Sequence, residues 1–137
     1  MLNVKLVLVD DSVAVQRSFG GLLELVPRVE LIGCAEDVAG ARSLIDASDP
    51  DLIVLDLELR HGEHGMDVLK HVTQQHPRTK VIVLSNFTGQ RYRDELLAAG
   101  ALECFDKSSQ FLLARDWIAQ RAALAIEPTA QGTARPS

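Results

Sequence analysis

DLIVLDLELR, residues Asp51 to Arg60, is the stretch whose reading decides the fold. Leu52 to Leu55 is an unbroken apolar run, the pattern of a strand buried on both faces of a parallel sheet. Asp56 sits at its carboxyl end, followed by a loop with Gly62 and Gly65 and then by a helical pattern. Open α/β sheets carry their sites outside the carboxyl ends of their strands, so Asp56 stands where chemistry is expected. A lone Asp in that position is as readily a solvated strand terminus. The rest of the chain separates the two readings.

Upstream, Val4 to Val9 (VKLVLV) reads as a first strand ending at Asp10-Asp11, with Ser12 placed to cap a helix. Val15, Phe19, Leu22, Leu23 and Val26 recur at helical spacing before Pro27. Val29 to Ala35 is a second strand; Glu36-Asp37 leads into a helix carrying Val38, Ala41, Leu44 and Ile45 on one face, ended by Asp49-Pro50. Downstream, Met66, Leu69 and Val72 mark a third helix stopped before Pro77, and Lys80 to Ser85 (KVIVLS) is a fourth strand. Tyr92, Leu96 and Ala99 mark a fourth helix with Gly100 at its C-cap. Ala101 to Phe105 is a short fifth strand ending at Asp106-Lys107, and Ser109 is placed to cap a last helix running to Ile126. Five strands alternating with five helices imply a parallel sheet covered on both faces by right-handed crossovers.

That arrangement brings the strand ends together on one rim: Asp10-Asp11, Asp56, Ser85 and Lys107. Each residue alone is weak; the set is strong, because four of the five strand ends carry a reactive polar group. Three close carboxylates raise one another's pKa, and a hard divalent cation relieves the repulsion. Few protein oxygens, completed by water and a phosphoryl ligand, suit Mg²⁺ better than a calcium cage. A carboxylate can act as the nucleophile that forms an aspartyl phosphate. Positive charge on the phosphoryl oxygens is then needed, and Mg²⁺ with Lys107 supplies it, while Ser85 can donate a hydrogen bond.

With 137 residues the chain suits one domain, read as residues 1–126, with the polar stretch 127–137 (EPTAQGTARPS) as a disordered tail. A hydrophobic content of 47% and a charged content of 24% are globular values. The net charge of −5 argues against direct nucleic-acid binding. No apolar run approaches the ~20 residues of a membrane helix or forms a signal-peptide core, so a cytoplasmic protein is expected.

These residues, with the segment GALECFDKS from Gly100 to Ser108, make the chain resemble the receiver domain of two-component response regulators over about Val4 to Ile126. The resemblance implies a flavodoxin-like (βα)5 fold with strand order 2-1-3-4-5. It implies that Asp56 accepts a phosphoryl group from a histidine kinase or phosphotransfer protein. By the same match Asp11, Asp56 and the backbone carbonyl of Glu58 would hold Mg²⁺, Asp10 would assist through a water, and Ser85 and Lys107 would bind the phosphoryl group. Such a protein is not an enzyme beyond its own phosphorylation and dephosphorylation. The chain ends soon after the last helix, so it reads as a single-domain receiver that signals by contact with an unknown downstream protein.

Four positions depart from the family pattern. Cys104 stands where an aromatic switch residue is usual, and Phe105 points to the other side of the sheet by alternation. Ser108, not Pro, follows Lys107; the loop after Asp56 is RHGEHG without a Pro-Gly turn; and Asn86 follows Ser85 in place of Ala or Gly. The alternative reading is a receiver-like interaction module that is not phosphorylated. A flavin carrier is disfavoured because VDDSVAV puts carboxylates where a phosphate-cradling loop would be. A haloacid-dehalogenase-type phosphatase would want Asp, not Glu58, two residues after the nucleophile. His61 and His64 fall short of a zinc set and read as solvated loop. His71 and His76 read as surface residues at a helix end. Cys34 and Cys104 fall on opposite sheet edges and should not pair.

Overall fold

The computed structural model describes residues 3–86 and 89–131. Five strands, β1 (Val4–Val9), β2 (Val29–Ala35), β3 (Leu52–Leu55), β4 (Lys80–Ser85) and β5 (Glu103–Asp106), alternate with five helices. These are α1 (Val13–Glu24), α2 (Val38–Ser48), α3 (Met66–Gln75), α4 (Gln90–Ala98) and α5 (Phe111–Gln131). Every ladder is parallel and the order is β2-β1-β3-β4-β5, as the resemblance implied. The order reverses between β1 and β3, and such switch points open a crevice at the carboxyl edge.

Side-chain alternation divides the sheet into two cores. Val7, Val9, Ile53, Leu55, Val81 and Val83 face one side, where they bury Ala41 and Ile45 of α2, Val68, Leu69 and Val72 of α3, and Leu96 of α4. Leu6, Leu8, Leu52, Val54, Ile82, Leu84 and Phe105 face the other, against Phe19 and Leu23 of α1 and Ala114, Ile118 and Ala122 of α5. The apolar run of β3 is therefore explained: both of its faces are covered, and all four residues are buried. On α5, Ala114, Ile118 and Ala122 are buried, while Leu113 and Leu124 are exposed. Trp117 packs at the edge of the same core, edge-on to Phe105 and beneath the Arg121 guanidinium.

The helix starts follow the capping chemistry at two places. Ser12 Oγ accepts from the Val15 N–H (3.2 Å) and Asp37 Oδ1 from the Gly40 N–H (2.7 Å). Gly100, at φ +117°, lies one residue beyond the C-cap Ala99, and a Cβ there would meet Thr73 Oγ1 at 2.9 Å. The last helix departs from expectation at both ends. Ser109 does not cap it: the Ala114 N–H bonds the Gln110 carbonyl, and the Ser109 hydroxyl donates to Asp106 Oδ2 at 3.1 Å. Its backbone continues past Ile126 to Gln131, into the stretch expected to be tail; residues 132–137 lie outside the described residues. No helix among the described residues is long and apolar enough to cross a membrane.

Candidate functional site

Backbone ladders place the acids. The Asp10 N–H bonds the Ala35 carbonyl (2.9 Å) and the Asp56 N–H bonds the Val9 carbonyl (2.8 Å), so each Asp continues its strand by one residue. Val9 pairs with Leu55, which sets Asp10 and Asp56 side by side on the rim. Both are buried, at 1% and 5% exposure. Asp11, one residue further along, is exposed, yet one oxygen from each of Asp10, Asp11 and Asp56 lies within 4.8 Å of the others.

Lys107 closes the cluster. Its N–H bonds the Ser85 carbonyl at 2.8 Å, fixing the backbone just beyond β5. Its ammonium lies 2.7 Å from Asp10 Oδ2 and 2.8 Å from Asp56 Oδ2. The side chain thus crosses the end of β4, where Ser85 is 1% exposed, to reach β1 and β3. Burial acts to lower the Lys107 ammonium, but the two carboxylates outweigh it and hold the group above its ordinary value. Burial pushes the Asp10 carboxyl up, and hydrogen bonds from Lys107 and from the Ser12 N–H offset only part of that.

The remaining lone pairs are oriented by backbone. Asp56 Oδ1 accepts from the Glu58 N–H at 3.2 Å, and Asp10 Oδ1 from the Ser12 N–H at 2.9 Å. Gln16 Nε2 donates to the Asp10 carbonyl at 2.7 Å. Three carboxylates, two buried and one open to water, form an all-oxygen donor set. Its chemistry fits a hard cation that keeps part of its water shell, as Mg²⁺ does.

The loop after Asp56 is more structured than its sequence suggested. Leu57 and Leu59 are buried, and Glu58 and His64 form an isolated bridge. A single 3₁₀ turn, Arg60–Gly62, reverses the chain through His61 at φ 62° and Gly62 at φ 74°, doing the work of a Pro-Gly turn. The Glu63 carboxylate accepts from the Val38 N–H at 2.7 Å, so its Oε1 holds the amino end of α2. His64 is not simply solvated: its Nδ1 accepts from the Met66 N–H (3.1 Å), and its Nε2 lies 3.3 Å from the Tyr92 hydroxyl.

Gly65, placed in this loop by the sequence, has a role that sequence reasoning did not assign. Its N–H donates to the Leu57 carbonyl at 2.7 Å, and a Cβ would fall 2.3 Å from the Asp56 carbonyl oxygen and 2.9 Å from Leu57 Cα. Its φ of −64° is ordinary, so the requirement is for space alone, which no local pattern announces. Gly65→Ala is expected to force the loop off Asp56 and destabilise the fold by about 2 kcal/mol or more. Urea denaturation measures this, and an unchanged midpoint would refute it.

Among the departures from the family pattern, the position after Lys107 has a local replacement. Asp106 Oδ1 accepts from the Ser108 N–H (3.0 Å) and hydroxyl (2.9 Å), an Asx turn that directs the chain into α5. The bond to the Ser108 N–H, with those from the two serine hydroxyls, holds the Asp106 carboxyl below its ordinary range. Cys104 is half-buried and faces the α3–α4 core while Phe105 faces the other, as alternation required. Tyr92 packs against that same core, so an aromatic from α4 occupies the side of the sheet where β5 offers a small thiol. Cys34 and Cys104 are both free, on the two edge strands.

Residues 6–115 match the family described as the response regulator receiver domain. The chain is 36% identical over 106 residues to protein-glutamate methylesterase/protein-glutamine glutaminase 3 of Shewanella oneidensis, covering 76% of this chain and 29% of that protein. It is 29% identical over 98 residues to the oxygen regulatory protein NreC of Staphylococcus epidermidis, covering 72% and 45%. It therefore spans less than half the length of either relative. The signal receiver domain of the response regulator NarL from Mycobacterium tuberculosis superposes with a TM-score of 0.79 at 26% identity, covering 90% of this chain and 98% of that one. The response regulator domain of Thermotoga maritima CheB shares the fold, with a TM-score of 0.77 at 23% identity over 91% and 97% of the two chains.

Proposed function

The chain belongs to the response regulator receiver domain family, and from that premise we propose that Asp56 accepts a phosphoryl group from a histidine kinase or phosphotransfer protein. The observation that carries the assignment is the Lys107 ammonium bridging two buried carboxylates, Asp10 and Asp56, at 2.7 and 2.8 Å. Asp56 is the member at the end of the central strand, with one oxygen oriented by the Glu58 N–H.

In this reading an Asp56 oxygen attacks phosphorus. The bond from phosphorus to the donor imidazole nitrogen breaks, and its electron pair stays on that nitrogen. Lys107 releases Asp56 Oδ2 and pairs with a phosphoryl oxygen, keeping Asp10 as its second partner. Ser85 donates its hydroxyl to another phosphoryl oxygen. Asp11, Asp56 and the Glu58 carbonyl, assisted by Asp10, are the groups that would hold Mg²⁺, which supplies charge neutralisation when bound. On this reading the chain works in the cytoplasm and signals through protein contacts, and its apolar exposure supports a surface for them. Of the seven large apolar side chains exposed among the described residues, five (Leu97, Leu102, Leu112, Leu113 and Leu124) lie from α4 to α5.

Incubation with acetyl phosphate, read by intact-protein mass, tests the metal-binding part. Phosphorylation should require Mg²⁺, and Asp11→Ala should reduce both the labelling and the rise in melting temperature caused by Mg²⁺. Exposed Asp11 contributes little to packing, so an unchanged Mg²⁺ response in that variant would remove it from the ligand set.

A further inference from the structure

A second cluster of metal-ligating groups lies at the opposite edge of the sheet. Asp46 is on α2, His71 on α3, and His76 is the C-cap of α3. Asp49-Pro50 leads into β3 and His76-Pro77 toward β4, so the cluster sits at the amino edge of the strands, away from Asp56. His71 Nε2 and His76 Nε2 both point at one atom, Asp46 Oδ1, at 2.8 and 2.7 Å.

The histidines are held firmly. Their side chains are only 10% and 13% exposed. The His76 N–H donates to the Val72 carbonyl at 2.7 Å, and the His76 carbonyl accepts from the Thr79 N–H at 3.0 Å. Asp49, the left-handed C-cap of α2 at φ 47°, places Oδ1 at 3.1 Å from His76 Nδ1. Without a metal both ring nitrogens of His76 face carboxylate oxygens and donate to them; a metal that displaces the proton on Nε2 would leave Asp49 holding the hydrogen on Nδ1. A carboxylate behind a ligating imidazole is the arrangement that orients such ligands in metal sites. The carboxyl ends of α2 and α3 meet here, and their dipoles favour a cation.

We propose that Asp46, His71 and His76 form a binding site for a borderline transition-metal dication such as Zn²⁺, with Asp49 orienting His76 and water in the open position. Two imidazoles and one carboxylate form a zinc-type set, unlike the all-oxygen set at Asp56. Ligand atoms around a tetrahedral Zn²⁺ lie roughly 3.3 Å apart, given bonds of about 2.0–2.1 Å. The two Asp46–histidine distances need to open by only about half an ångström, and all three ligand atoms lie within 4.8 Å of one another. Asp46 is the half-exposed member, at 53%, so it can move while the histidines stay. The bound ion would tie α2 to α3 with no thiolate involved.

The test uses the full chain in excess Mg²⁺, the cation proposed for the Asp56 site. Zn²⁺ affinity is measured against a chromophoric chelator, and Co²⁺ substitution is followed by its visible absorption. One Zn²⁺ per chain and tetrahedral Co²⁺ bands are expected. Asp46→Asn keeps a carbonyl oxygen to accept both histidine hydrogen bonds but is a poor ligand; it should weaken Zn²⁺ at least tenfold and lose the bands. Asp49→Gly, compatible with the left-handed backbone, should weaken Zn²⁺ about tenfold. His61→Gln with His64→Gln should change nothing. Mg²⁺-dependent phosphorylation of the Asp46 and Asp49 variants reports that each is folded. Absence of Zn²⁺ binding tighter than millimolar, affinity unchanged by Asp46→Asn, or affinity lost in the His61/His64 pair would each overturn the proposal, leaving a hydrogen-bonded clasp only.

Discussion

Asp56→Asn should abolish phosphorylation by acetyl phosphate while leaving the fold in place. Asn is close to isosteric and keeps an oxygen at the position that accepts from the Glu58 N–H, 3.2 Å away. It removes one of two buried carboxylates beside Lys107, and Asp10 remains as the partner of the ammonium. The nucleophile is lost, because an amide oxygen does not form a stable acyl phosphate. The expected label is therefore below detection, with a melting curve close to that of the parent protein. Intact mass after acetyl phosphate treatment is the measurement. Equal, stable labelling at another residue would refute the assignment.

Lys107→Ala is expected to have the larger effect on stability. The substitution leaves Asp10 and Asp56, 1% and 5% exposed, facing each other without the cation that bridges them. Breaking a buried ion pair by removing one partner costs on the order of 3 kcal/mol. For a chain of this size that is a fall in melting temperature of roughly 10 °C. Mg²⁺ should narrow the gap, since it offers the acids another cation. Labelling at Asp56 should also slow by about a hundredfold, as one charged donor to the phosphoryl oxygens is gone. Melting curves with and without Mg²⁺ decide the first point; an unchanged curve in the absence of divalent ions would mean the bridge does not stabilise the fold.

The unbroken run Leu52–Leu55, the acid after it and the alternation of strand and helix patterns were enough to order the elements. Strand ends in a parallel sheet share one edge, so Asp10, Asp11, Asp56, Ser85 and Lys107 could be gathered from spacing alone. Those signals are local: period-two and period-3.6 hydrophobicity and the position of Pro, Gly and capping residues. The structure brings these residues together at the rim, with Asp11 the exposed member.

Other features depend on contacts that hydrophobic periodicity does not encode, most of them between residues distant in sequence. That Gly65 must lack a Cβ follows from the Asp56 carbonyl 2.3 Å from where one would be. Glu63 serves the amino end of α2, 25 residues upstream. His64 meets Tyr92 across the α4 side of the site, and His71 and His76 meet Asp46 across two helices. His61 and His64 read as solvated loop and His71 and His76 as surface residues at a helix end, because a polar residue in such a place has no periodic neighbour to predict its partner. Ser109 looked like a cap because its type and spacing fit, but Asp106 competes for its hydroxyl. The sequence thus determined the order of elements and the rim where the polar strand ends meet, since both follow from local patterns. Only the tertiary structure decided which side chains touch across the helices and where a single methyl group has no room, since those depend on distances between segments that no local pattern encodes.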